Sequence, residues 1–143
     1  MSTQNYQNHV QRVPGFLAVG LALLLSFVGS LVNLYNSIGD HQRIYSASLL
    51  VVLTVCVFFV AFFCRTFALK AQDRGIRAEE NLRHFAMTGK LLDPRLTIQQ
   101  IIALRFASDG EFLQLAAETA EKGTDAKTIK QSIKSWRADT HRA

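Results

Sequence analysis

The chain has 143 residues, 49% of them hydrophobic and 19% charged, and a net charge of +5. That length suits about one ordinary domain, but the apolar residues gather in two charge-free runs, Phe16 to Leu34 and Ala47 to Phe63, each close to the ~20 residues that cross a hydrocarbon core as helix. A soluble fold burying both runs is not expected, because the remaining polar sequence has too little apolar surface to cover them.

The expected architecture is all-α. It has a polar tail over 1–13, a first transmembrane helix over 14–38, a short external loop over 39–44 and a second transmembrane helix over 45–68. A cytoplasmic extension of that helix follows over 69–89, then a three-helix module over 90–143. Arg12 precedes the first run, as in a signal peptide. The run is longer than a signal core, and no Ala-x-Ala site follows it, so a retained span is expected.

The first helix has two faces. At about 100° per residue, Gly15, Ala18, Ala22, Ser26, Gly29 and Asn33 fall in one stripe. Leu17, Leu21, Leu24, Val28, Leu31 and Tyr35 fall opposite. The large face suits lipid and the small face suits helix packing. Asn33 admits two readings, a wet position near the outer interface or an interhelical hydrogen bond lining a pore. Tyr35 and Tyr45 suit interfacial anchors.

The second helix carries a seam at alternating steps of three and four: Ala47, Leu50, Thr54, Val57, Ala61, Cys64, Ala68, Ala71, Gly75, Ala78, Leu82, Phe85 and Gly89. Small side chains on one helical face let another helix approach closely. No proline interrupts residues 47–90, so one helix is expected from about Tyr45 to about Thr88, roughly 65 Å long. Asp73–Arg77 and Glu79–Arg83 are four-residue pairs with the acid first, the favourable order. From Ala47 to Cys64 the seam is expected to meet the small face of the first helix. Beyond Phe67 its partner is the tail, the C-terminal region, a second copy or another protein. Cys56 and Cys64 lie about 12 Å apart along a helix, too far for a disulfide.

Arg65, Lys70, Arg74, Arg77 and Arg83 follow the second span, whereas the loop offers only Arg43, beside Asp40. The basic side is expected to be cytoplasmic, and two spans return the N-terminus to it. The same residues form a collar suited to anionic membrane lipid.

Leu92-Asp-Pro-Arg95 is expected to break the helix. Thr97-Ile-Gln-Gln100 has the form of a capping box, Ser108-Asp-Gly-Glu111 marks a second start, and Gly123 marks a stop before a third start. Short helices are expected at about 98–107, 109–122 and 125–138, with Ile129, Ile133 and Trp136 on one face. So small a bundle is marginal alone and is expected to lean on the extension, covering Leu82 and Phe85. Lys127, Lys130, Lys134 and Arg137 would form a basic stripe on the last helix, suited to solvent or to an acidic partner. A helix-turn-helix reading fails because the recognition position, 109–122, is acidic, so nucleic acid is not an expected partner.

The run Leu92 to Asp109, LDPRLTIQQIIALRFASD, and the ending Ile133 to Arg142, IKSWRADTHR, resemble a family of small, uncharacterised bacterial two-span membrane proteins, a domain of unknown function. The resemblance covers most of the chain. It implies this architecture and a bacterial inner membrane, and no activity.

Chemistry-bearing motifs are sparse. The sequence has no Gly-rich phosphate loop, no Cys-x-x-Cys and no His-Glu-x-x-His. None of His9, His41, His84 and His141 lies within a span. Glu79, Glu80 and His84 suit surface pairing better than a metal. Neither an enzyme nor a cofactor is expected. The expected role is that of a structural or accessory membrane protein, packing laterally as a homo-oligomer or in a larger complex. A pore lined by Asn33, Ser26 and Thr54, or a tether working through the basic stripe, are the alternatives.

Overall fold

The computed structural model describes residues 5–7 and 13–139. Arg12, His9 and His141, most of the tail and the chain beyond Asp139 lie outside the described residues. The described part is all-helical apart from one isolated bridge: α1 Pro14–Asn36, α2 His41–Thr88, α3 Ile98–Leu104, α4 Asp109–Lys122 and α5 Ala126–Ser132. Two compact units divide the chain, residues 12–68 and, with the first eleven residues, 69–143.

The first unit is a helical hairpin. α1 and α2 are both long and apolar enough to cross a membrane. Only 6% of the most apolar window of each is buried, unlike the core helix of a soluble domain. Pro14 opens α1, where its missing N–H is no loss. The turn is tight: Asp40 N donates to Ser37 O at 3.1 Å, and Gly39 has φ +97°, a conformation that favours glycine. Asp40 Oδ1 then accepts from Gln42 N at 3.0 Å and Arg43 N at 3.3 Å. It caps α2, which starts earlier than the expected Tyr45.

The small face of α1 is not what meets α2. Along α1 the least exposed residues are Leu23, Phe27, Ser30, Leu34 and Ser37, about a quarter turn from the small stripe. On α2 they include Ala47, which is 1% exposed, with Val51, Thr54 and Ala61 half-buried. Phe27 and Leu23 line one crevice with Thr54 and Val55. Bulky side chains of α1 thus face smaller ones of α2, which fills the space between helices better than small against small. Cys56 and Cys64 are free thiols.

α2 is one uninterrupted helix of 48 residues. It ends on Gly89, whose φ is +72° and whose N–H donates to Phe85 O at 2.7 Å, a left-handed terminus. The second unit builds its core from Ile76, Leu92, Leu96, Ile101, Leu104, Phe106, Phe112, Ile129 and Ile133. α2 enters this core through Ile76, the one aliphatic residue larger than alanine between Leu69 and Leu82. Leu82 and Phe85 stay exposed, at 67% and 50%, so the expected cover over them is corrected. The wheel explains it: Ile76, Glu80 and Arg83 share one face, and Leu82 and Phe85 point roughly the opposite way.

α3 has the expected capping box, Thr97 and Gln100 each holding the other's backbone. α4 spans 109–122 as expected, and Gly123 closes it in the left-handed conformation. α5 is shorter than expected, stopping at Ser132. Beyond it the chain is extended: Ser108 N donates to Ser135 O, Arg137 N donates to Phe106 O, and Ala107 bridges Trp136. The Glu111 carboxylate accepts from Lys134 N and Ser135 N, both at 3.0 Å. Those contacts satisfy backbone groups that a longer helix would otherwise have satisfied.

Candidate functional site

A charged network centred on Arg83 holds the second unit together. Its Nη1 donates to Glu80 Oε2 at 3.0 Å, Nε to Asp109 Oδ1 at 2.9 Å, and Nη2 to Ala107 O at 2.8 Å. The guanidinium also lies over the Phe112 ring, 4.2 Å from its centroid. The side chains of Arg83 and Glu80 are both buried, and burying a charge is tolerable only when it is paired and hydrogen-bonded. Arg137 approaches Glu80 from the other side at 3.9 Å. Arg83's hydrogen bond, and then its charge, hold the Asp109 carboxyl below the usual carboxylate range. The expected Glu79–Arg83 pair is therefore replaced: Arg83 turns to Glu80 and Asp109.

A cavity of about 310 Å³ adjoins this network, lined by Gln72, Ile76, Glu79, Glu80, Arg105, Arg137 and Asp139 among others. A buried ion pair joins Arg105 to Asp139. The wall carries both signs in pairs, Arg105 with Asp139 and Arg137 with Glu80. Glu79 joins neither pair, so both signs line the cavity and the walls present no field of one sign to a ligand.

The basic stripe is corrected. Lys127 and Lys130 lie on α5, but Lys134 and Arg137 lie on the extended segment. Lys130 sits over the Phe106 ring at 5.5 Å and Arg137 faces Glu80, so the four do not form one helical face. Glu79, Glu80 and His84 do not converge either: His84 Nδ1 lies 2.7 Å from Lys90 O, and Glu80 faces arginines. Among the described residues no group of three His, Cys, Asp or Glu is arranged to hold a metal.

Of the residues singled out for helix packing, Ala47 is buried, and Thr54 and Ala61 are half-buried against α1. Gly15, Ala18, Ala22, Ser26 and Gly29 on α1, and Ala68, Ala71, Gly75 and Ala78 on α2, are exposed. A Cβ built on Gly15, Gly29 or Gly75 would meet no atom within 4 Å. Ser26 and Asn33 share the exposed face of α1, whereas Thr54 lies in the crevice between the helices and donates its hydroxyl to Leu50 O. The structure does not bring these three together.

Sequence reasoning did not find Arg83, Glu80, Asp109, Glu111 or the Arg105–Asp139 pair. One signal was available: Ile76, a lone aliphatic residue, marks the inner face of the extension, and Glu80 and Arg83 follow it at four and seven residues.

No curated protein and no solved structure matches this chain. A family model matches residues 1–143, and the chain belongs to that family, a family of unknown function designated DUF6526.

Proposed function

We propose that this protein is a structural or accessory integral membrane protein of the bacterial inner membrane. α1 and the apolar part of α2 cross the bilayer, and the helical module stands on the cytoplasmic side with the N-terminal tail. The basic residues that follow the second apolar run support that orientation. The protein packs laterally, with copies of itself or within a larger complex, and presents its module there.

The observation that carries this reading is the open small face of α1. Gly15, Ala18, Ala22, Ser26 and Gly29 form a stripe that the hairpin itself leaves exposed. In lipid, which is as apolar as leucine, helix association relies on close packing, and small residues permit it. The test is native mass measurement of the full chain in mild detergent. Wild type is expected as an oligomer or larger complex, and a variant with Ala18→Leu and Ala22→Leu as a smaller assembly than wild type. A strictly monomeric wild type overturns the proposal.

A further inference from the structure

The module packs on only one side of α2. Ile76, Glu80 and Arg83 face it, and on the remaining surface Ala71, Gly75, Ala78, Leu82 and Phe85 run in an unbroken four-three-four-three register, with Gly75 and the neighbouring Glu79 at the rim of the cavity beside the module. Leu82 and Phe85 are large, apolar and exposed. Sustained at heptad spacing, such a face is a coiled-coil seam. Its upper half is alanine and glycine, which lets axes approach at the close end of the usual ~8–10 Å range.

Two charges flank this seam. Arg74 immediately precedes Gly75 on one edge, and Glu79 immediately follows Ala78 on the other. In heptad terms these are g and e positions. Both are exposed. Among the described residues neither joins an ion pair, because Arg83, the natural helical partner of Glu79, is committed to Glu80 and Asp109. The remaining flanking residues, Gln72, Asn81 and Ala86, are uncharged.

We infer that a second copy of this chain is the occupant of this face, the two α2 helices pairing parallel and in register with Arg74 of each copy against Glu79 of the other. The signs select the orientation. In a parallel pair a g residue meets the e residue five positions on in its partner, and 74 to 79 is that interval. An antiparallel pair sets g positions beside g and e beside e, so Arg74 of one copy never meets Glu79 of the other and the complement is lost. Copies inserted in one membrane with the same topology arrive parallel, and for that step alone the inference rests on the membrane reading.

The test uses the full chain with Cys56→Ala and Cys64→Ala, oxidised in native membranes. Leu82→Cys is expected to form a covalent dimer, and Gln114→Cys, exposed on α4, is not. In the Leu82→Cys background, Arg74→Glu or Glu79→Arg alone is expected to lower the cross-linked fraction about 5-fold, from two weakened surface pairs, and the double reversal to restore it. Leu82→Cys cross-linking no better than Gln114→Cys, or a double reversal that fails to restore it, overturns the pairing. Native mass of the unmodified chain is read separately. An oligomer without Leu82→Cys dimers overturns this pairing and leaves the packing of α1 standing. A monomer in detergent with Leu82→Cys dimers in membranes does the reverse.

Discussion

The hairpin and the C-terminal unit treat the same residue types in opposite ways. In the hairpin the bulky apolar side chains are outside: Leu25 is 63% exposed and Phe62 57%. In the C-terminal unit Phe106 and Phe112 are fully buried, and exposed large apolar residues, Leu82, Phe85, Met87 and Leu91, gather at the end of α2 and just beyond it. The hairpin holds its turn by backbone and short side-chain hydrogen bonds and leaves its apolar surface for a surrounding medium. The C-terminal unit must collect its own apolar surface out of water, and it recruits the polar end of α2 to do so. One continuous helix therefore meets two different demands, with Ile76 as its contribution to a water-excluded core.

The sharpest way to break this contrast is to make one substitution in both places. Phe112→Ala is expected to cost about 4 kcal/mol, from lost burial and the cavity left behind. It is expected to expose Trp136, the one tryptophan, to solvent quenching. Phe62→Ala is expected to leave Trp136 fluorescence and module protease resistance unchanged. Equal effects would sink the division of the chain into two independently governed regions.

Arg83→Met probes the polar side of the same contrast. It leaves the buried Glu80 with only the longer Arg137 contact, and breaking such a buried pair costs about 3 kcal/mol. Adding Glu80→Gln is expected to recover part of that loss, since the stranded charge is then gone. Chemical denaturation followed by Trp136 emission reads both, and a double variant weaker than the single one contradicts the account.

Acid supplies the smallest effect. Asp109, through Arg83, and Asp93, through its hydrogen bond to Arg95, have carboxyls held low, Asp93 down to about 2. For an acid whose folded value is depressed, the stabilisation is complete above the unfolded value of about 4 and fades as pH falls through the folded value. Trp136 emission is thus expected to report loosening of the module between about pH 4 and pH 2. Asp109→Asn should flatten part of that response. Backbone protection within residues 16–34 and 47–63, which contain no acid, should stay level.

Local signals in the sequence predicted local structure well. The bounds of α4, the capping box at Thr97, the stop at Gly123 and the end of α2 near Thr88 all depend on residues within one or two turns of each other. Features that depend on distant partners were not legible. α5 ends early because Glu111, more than twenty residues back, takes the N–H groups of Lys134 and Ser135. Arg83 abandons its local partner because Asp109 and the Phe112 ring lie where no helical spacing would place them. The α1 face that meets α2 was misjudged for a related reason. Periodicity separates two faces, but the complement between bulk on one helix and small residues on the other decides which one is used.

The turn between the two long helices has a consequence for sidedness. Only Ser37, Ile38, Gly39 and Asp40 separate α1 from α2. If the hairpin crosses a bilayer, those four residues and the helix ends beside them are nearly all the protein displays at its closed end. So small a display offers little shape and few donors for discrimination between partners. Information arriving from that side would have to come through the lipid or through a neighbouring protein, whereas in the proposed topology the charged network and the module belong to the opposite compartment. Such a molecule has one vocal side and one almost mute one.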